Sequence, residues 1–396
     1  MNDQQRAMIL LMKSAVTGQS YSLPETFSLE QAIPLIKKHH MITLIYDGAI
    51  NCGISPETPA MQQLFSMYLR ILMRSENQQK AIEKLQQAFM EANIDHMLLK
   101  GSVIKHLYRK PEHRYMGDAD ILIRLEQYES IRTIMEHLGY TEGKETDHEL
   151  HWHAKALNVE LHKRLIPTNN KDWCAYYGDG WQLANPVASG AHKMRPEDEW
   201  IYLFTHFAKH YRDAGVGCRY VLDLWVWRNA YPDMDEGYIQ AVMQSLKLVQ
   251  FYGHTCQLLD HWFADGSGNQ ILDIMTQYIF DSGSWGTDDV RALSKTIRHA
   301  RYSTSGVGGR FVYIWKSMFP SVDTLRYEFR ILQKHIWLLP VVWTYRIFSK
   351  IFLSHGVLRR KITHVSNMTQ ENLQLREDML HLVGMDYHTE KNEGAE

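Results

Sequence analysis

The run Asp118-Ala119-Asp120-Ile121-Leu122-Ile123 places two carboxylates two residues apart at the head of an apolar segment. An apolar run of this length reads as a strand, and side chains on a strand alternate between faces. Asp118 and Asp120 therefore point one way while Ala119 and Ile121 point the other. Two neighbouring carboxylates repel unless a cation lies between them. Mg²⁺ is suited to that place, because it takes one or two carboxylates together with substrate phosphates.

The flanking sequence frames this strand with helices. Helical patterns are expected over 4–18, 28–50 and 58–93, the second opened by Ser28 with Gln31 three residues on. After residue 95 the pattern changes. A strand is expected over 96–100, a helix over 102–108, a loop at 110–113, a strand over 118–124 and a helix over 127–138 closed by Gly139. A hairpin of 148–154 with 158–165 follows. Helices resume over 196–212, 219–231, 235–263 and 269–281. Ser303–Gly309 reads as a loop, 310–385 as helix broken at Pro320 and Pro340, and Tyr387–Glu396 as a disordered tail. The expected class is α+β, mostly helical, with a small mixed sheet between N-terminal and C-terminal helical regions. We divide it at 1–95, 96–190, 191–300 and 301–396.

Composition narrows the function. With 43 Lys+Arg against 45 Asp+Glu there is no chain-wide basic footprint, so no long nucleic acid is expected as partner. Cys52, Cys174, Cys218 and Cys256 are scattered without a CxxC, which argues against a disulfide framework or a cysteine zinc site and fits a reducing cytosol. No basic-then-apolar leader opens the sequence, and no run reaches the ~18 apolar residues of a spanning helix.

Two further segments bear on the acid pair. Lys100-Gly101-Ser102 would end a strand and open a helix, presenting backbone N–H groups to phosphate; by itself it is also an ordinary strand-to-helix turn. Glu160 and His162 would share one face of a strand opposite Val159 and Leu161. Glu160 could be a third metal-binding carboxylate or a solvent-facing residue of an edge strand.

Taken in order, these segments resemble the nucleotidyltransferase superfamily typified by DNA polymerase β. They resemble most closely a bacterial branch with the pattern Leu99-Lys100-Gly101, Arg114-x-Met116-x-Asp118-x-Asp120-Ile121-Leu122 and Glu160-Leu161-His162. The likeness covers about residues 85–230 and extends to His206, His210 and Arg219–Leu224. It implies a nucleotidyltransferase core over 96–190 and a helical domain over 191–300 closing a cleft. It further implies Mg²⁺ (or Mn²⁺) held by Asp118, Asp120 and Glu160, and an NTP (ATP first among the candidates) gripped by Lys100, Gly101, Ser102 and Arg114. His162, His206 and His210 would be cleft residues. In compact superfamily members the Gly-Ser lies closer to the first Asp; here fifteen residues separate Ser102 from Asp118, including Tyr108, Arg109, Lys110 and Arg114.

Other features are open to plainer readings. Arg114 could hold phosphate or stabilise its loop through a salt bridge. Asp223 could pair with Arg219 one helical turn away. His148, His151, His153 and His162 crowd one hairpin, where a zinc site is conceivable. The basic, aromatic stretch 326–361 either packs on the body or lies on an anionic membrane surface. The expected function is metal-dependent transfer of NMP from NTP to an unknown hydroxyl acceptor, with release of pyrophosphate, in the cytoplasm or at the inner membrane face. The alternatives are a non-catalytic NTP-binding regulatory module and a toxin–antitoxin-type nucleotidyltransferase acting on protein or tRNA.

Overall fold

The computed structural model describes residues 1–287 except 169 and 265, then 290, 291, 293, 294, 297, 319–322, 325, 326, 329–353 and 370–385. The fold is α+β and mostly helical. The N-terminal helices are α1 (Asp3–Thr17), α2 (Leu29–Lys38), α3 (Ile42–Asn51) and α4 (Pro59–Glu91). Ser28 caps α2 by accepting from the Gln31 N–H at 3.4 Å. The helix expected over 28–50 is broken at 39–41, where His40 takes a left-handed φ of 53°.

A seven-stranded mixed sheet follows, in the order β3-β4-β5-β2-β1-β7-β6. Its strands are β1 (His96–Leu99), β2 (Asp118–Ile123), β3 (Thr141–Glu145), β4 (Glu149–His153), β5 (Asn158–His162), β6 (Asn185–Ala188) and β7 (Ala191–Lys193). The sequence reading omits β3, β6 and β7. β3 is a polar edge strand, and β6 is exposed and carries Pro186, so neither shows an apolar alternation. Between β1 and β2 lie one turn of helix, α5 (Gly101–Ile104), and two 3₁₀ turns, rather than a helix over 102–108. α6 (Tyr128–His137) follows β2, and α7 (Lys171–Tyr177) follows β5.

The sheet is covered on both faces. Ala119, Ile121, Ile123, Val159 and Leu161 pack with Ile82, Leu85 and Phe89 of α4 and Ile131 and Met135 of α6. The other face meets a second helical layer of α8 (Pro196–Asp213), α9 (Cys218–Ala230), α10 (Glu236–Ser245), α11 (Val249–Phe263) and α12 (Gln270–Ser282). The helix expected over 235–263 is divided between α10 and α11, with Lys247 at φ 57°. One continuous core joins α1–α4 to α8–α12 through residues such as Met8, Leu44, Leu64, Phe204 and Phe251. Further on, α13 (Leu339–Leu353) and α14 (Gln370–Leu382) are described. Pro340 stands in the first turn of α13, where its missing N–H costs nothing, and does not break a helix. The loop expected at Ser303–Gly309 and the tail from Tyr387 lie outside the described residues.

His39 ties the two helical layers together. Its Nε2–H donates to the Phe280 carbonyl (3.1 Å) and its Nδ1 accepts from the Cys218 N–H (3.2 Å), with the ring fully buried. Burial lowers its pKa to about 4, aided by the charges of Lys38 and His40. The unfolded chain takes up this proton near pH 6.5 and the folded chain resists it, so stability is lost as pH falls from 6.5 towards 4. The loss reaches roughly 3 kcal/mol. Urea unfolding at pH 7 and pH 4.5 measures it, and in His39→Gln the pH dependence should flatten over that window. An unchanged slope in the variant assigns the titration elsewhere.

Candidate active site

Strand register assembles the site. Asp120 lies opposite Glu160 across the parallel β2–β5 pair, with Asp118 opposite Asn158 and Leu122 opposite His162. On the far side of β5, His151 faces Glu160 and Glu149 faces His162. Because their neighbours Ala119, Ile121, Val159 and Leu161 are buried against α4 and α6, the acids must project towards α8 and α9. A cavity of about 190 Å³ opens there. Lys100, Gly101, Arg114, Asp118, Asp120, Glu160, His206 and His210 line it, together with Leu203, Arg219, Tyr220 and Trp285.

The charges in this cleft are unevenly compensated. Oδ1 of Asp120 accepts from Lys100 Nζ at 2.6 Å and from His162 Nε2 at 2.8 Å. Burial opposes the charge of Asp120, but Lys100 and His162 outweigh it and hold the carboxyl far below the usual range. Burial works against the Lys100 ammonium too, and Asp120 more than restores it. His162 is lowered by burial and by Lys100, so its ring is neutral and the Nε2–H tautomer follows from the carboxylate it faces. Asp118 makes no such pair; burial and the charge of Asp120 raise it. Glu160 is pushed up to about 8 by burial and by the charges of Asp120, Glu149 and Asp118. Burial is the larger cause, and the three neighbouring carboxylates add to it, so negative charge is crowded here. Ligand atoms of Asp120, Glu160 and His162 also lie within 4.8 Å of one another. The residues therefore fit a divalent cation.

Lys100 closes β1 at φ 49° and ψ −118°, a left-handed conformation unusual for a residue with a Cβ, and from there its amine reaches Asp120. Gly101 is needed for space. A Cβ there would stand 2.6 Å from Nη1 of Arg114. Ser102 does not line the cavity: it is buried, with its hydroxyl on Met116 Sδ at 3.8 Å. Arg114 forms a bidentate pair with Asp223, Nη2 to Oδ2 at 2.8 Å and Nε to Oδ1 at 3.2 Å. Asp223 also accepts from the Tyr108 hydroxyl at 2.6 Å. Asp223 thus serves the insertion between Gly101 and Asp118 and makes no pair with Arg219. The insertion is further pinned by Asp47, which meets Lys110 at 2.5 Å and His113 at 2.6 Å.

His206 and His210 share one hydrogen bond, Nε2 to Nε2 at 3.1 Å, beside the Tyr220 ring. Burial and the nearby lysines hold both well below their ordinary value, hence neutral. The sequence offers Arg219 as a partner for Asp223 and as the first residue of the Arg219–Leu224 likeness, with no role in the site. Arg219 is 8 % exposed, donates Nη1–H to the Tyr115 carbonyl at 3.1 Å, and leaves Nε without a partner. It meets no acid among the described residues, and its guanidinium lies 5.7 Å from the Trp285 ring centre. Trp285 overhangs Gly117 at the mouth, and nothing in the local sequence connects it to the acids.

A family model described as an uncharacterised nucleotidyltransferase matches residues 25–264, more than half of the chain. No curated protein and no solved structure matches it.

Proposed function

The chain belongs to this nucleotidyltransferase family, and from that premise we propose that it transfers NMP from an NTP to a hydroxyl acceptor, releasing pyrophosphate. What supports the reading above all is the convergence of Asp118, Asp120 and Glu160 on one cavity that also holds a buried cation, Arg219, which forms no ion pair among the described residues. Mg²⁺ or Mn²⁺ would be held by Asp118, Asp120 and Glu160. When bound, it would neutralise triphosphate charge and lower the pKa of the acceptor hydroxyl. Glu160 would complete that ligand set or take the acceptor proton. His162 and Lys100 keep Asp120 ionised and fixed. Gly101 leaves room for the chain to approach the ligand. His206 and His210, being neutral, can donate or accept along the cleft wall.

Lys100 and Arg114 already have carboxylate partners, whereas Arg219 meets no acid among the described residues and lines the cavity, as Arg291 also does, so Arg219 has capacity left for phosphate. Arg219→Ala is expected to weaken binding of a non-hydrolysable Mg·ATP analogue by about 1.5–3 kcal/mol, or roughly 10- to 150-fold. Calorimetric titration measures this, and equal affinity in the variant removes Arg219 from the phosphate site.

The donor is proposed as ATP. The acceptor does not follow from the fold. Each α-labelled NTP is to be incubated with Mg²⁺ or Mn²⁺ and cell extract. Transfer of label with pyrophosphate release supports the reading; neither, above the level of Asp118→Asn, sinks it.

No helix of the described residues is long and apolar enough to cross a membrane. We place the protein in the cytoplasm, with peripheral contact to an anionic bilayer through 326–361. In support, Trp337, Val341 and Tyr345 are exposed at helical spacing on and just ahead of α13, with Lys334 and Arg346 in the same stretch. Flotation with vesicles containing anionic lipid tests this, and failure to float removes it.

A further inference from the structure

β4 carries a second group of metal-ligating side chains beside the three acids. Ligand atoms of Glu149, His151 and Glu160 lie within 4.8 Å of one another, and all three residues are half-buried. His151 Nε2 is 3.1 Å from Glu149 Oε1, and its Nδ1 is 3.4 Å from Glu160 Oε1. Glu149 and Glu160 thus meet opposite nitrogens of the ring; an ion would use one of them, and since ligands on a tetrahedral ion with 2.0–2.1 Å bonds stand about 3.3 Å apart, one nitrogen and one oxygen of each glutamate, within 4.8 Å of one another, would draw together on it. The remaining oxygen of Glu149 accepts from His148 Nε2 at 3.0 Å, and Nδ1 of His148 faces Asp147 at 3.0 Å. The chain Asp147–His148–Glu149 thus orients a ligand from behind, as supporting hydrogen bonds commonly do around bound metals.

We infer that Glu149, His151 and Glu160 form a binding site for a borderline divalent cation of the zinc class, separate from the Asp118–Asp120 pair and joined to it by Glu160. Glu160 turns Oε1 towards His151 and Oε2 towards His162, 3.9 Å away, and His162 in turn holds Asp120. One carboxylate oxygen therefore serves each side. The mixed imidazole–carboxylate donor set favours Zn²⁺, Co²⁺ or Mn²⁺ over Mg²⁺, which prefers oxygen throughout. Half-exposure leaves the ion an open position and a route in.

Charge points the same way. Asp118, Asp120, Glu149 and Glu160 crowd one end of the sheet. Among the cations near them, Lys100 is paired with Asp120 and Arg114 with Asp223, Arg219 lines the cavity on the Asp118 side, and Lys209 on α8 makes no ion pair among the described residues. His153, which shares the β4 face with His151, takes no part. Its Nδ1 meets Asn158 at 3.2 Å and its side chain is exposed. The hairpin's zinc chemistry thus falls on one histidine and two glutamates rather than on a histidine cluster.

The site is tested with Co²⁺ alone on the chelator-stripped full chain, read by its visible absorption, and does not rest on the nucleotidyl reading. The native protein is expected to give intense bands of low-coordinate cobalt bearing imidazole, abolished by stoichiometric Zn²⁺. His151→Ala and Glu149→Gln should each weaken binding by roughly 10- to 100-fold or more. Asp118→Asn should leave the bands in place. X-ray absorption on the zinc-loaded protein should show imidazole scattering that survives His162→Gln and is lost in His151→Gln; scattering lost in His162→Gln and kept in His151→Gln places the ion on the Asp120 group instead. No bands and no imidazole scattering overturn the site and leave the Mg²⁺ centre untouched. Bands lost in Asp118→Asn but kept in His151→Ala place the metal on the aspartates instead. Intact cobalt binding with no NTP turnover would leave this site standing while the nucleotidyl reading falls.

Discussion

Asp118→Asn is expected to lower nucleotidyl transfer by roughly 10³- to 10⁵-fold while the protein melts within a few degrees of the native chain. The two aspartates differ in what they do for the fold. Asp118 makes no ion pair among the described residues, and burial together with the charge of Asp120 already disfavours its ionisation. Removing its charge relieves repulsion. Asp120, by contrast, is the 2.6 Å partner of a Lys100 amine that is largely buried. Asp120→Asn leaves that ammonium in a low-dielectric site with only a neutral acceptor, at a cost of roughly 3–5 kcal/mol. Label transfer and thermal unfolding of both variants separate the roles. Loss of activity without loss of stability should appear at Asp118 and joint loss at Asp120. If Asp118→Asn transfers label as fast as the native chain, the acid pair is not the catalytic centre.

Sequence parity sufficed to place these acids. A period of two puts Asp118 and Asp120 on one face and Glu160 and His162 on another strand's matching face, and the parallel β2–β5 register then sets Asp120 against Glu160. The register itself was not legible, because the strands are separated by α6, β3 and β4. β6 and β7 escaped for a local reason: they are short, and all of β6 is exposed. The break at His40 escaped because apolar residues continue on both sides of it.

The cavity wall was legible only in part. His206 and His210 were placed there by resemblance. Arg219 and Trp285 reach it because α9 and the turn after α12 pack over the sheet, and that contact joins residues far apart in the chain. Ser102 shows the opposite failure. Its neighbours Lys100 and Gly101 line the cavity, but α5 ends after one turn and the Ser102 hydroxyl is buried on Met116.

Arg114 is the residue on which sequence and structure bear most differently, and its substitution should cost as much stability as that of Asp120. Its guanidinium and Asp223 are 8 % and 5 % exposed, and three hydrogen bonds join them. Arg114→Met leaves Asp223 buried with only the Tyr108 hydroxyl, a loss of roughly 3–5 kcal/mol. Arg114→Lys restores charge but not the two-pronged geometry, so it should recover only part of that loss. If the pair acts by mutual compensation, replacing the whole network restores stability. Tyr108→Phe must then accompany Arg114→Met and Asp223→Leu, or the phenol is left without its acceptor. The triple variant is expected to unfold at a denaturant concentration close to the native one, with each single variant well below. Nucleotide affinity provides the contrary result. If Arg114→Lys folds as stably as the native chain and yet binds the Mg·ATP analogue much more weakly, Arg114 grips phosphate and the Asp223 pair only holds it ready. The Gly101 contact sharpens the choice. A methyl group at residue 101 would press on Nη1 from 2.6 Å and displace the guanidinium, so Gly101→Ala should reproduce the Arg114 phenotype, whichever it is, with the Arg114 side chain itself still present.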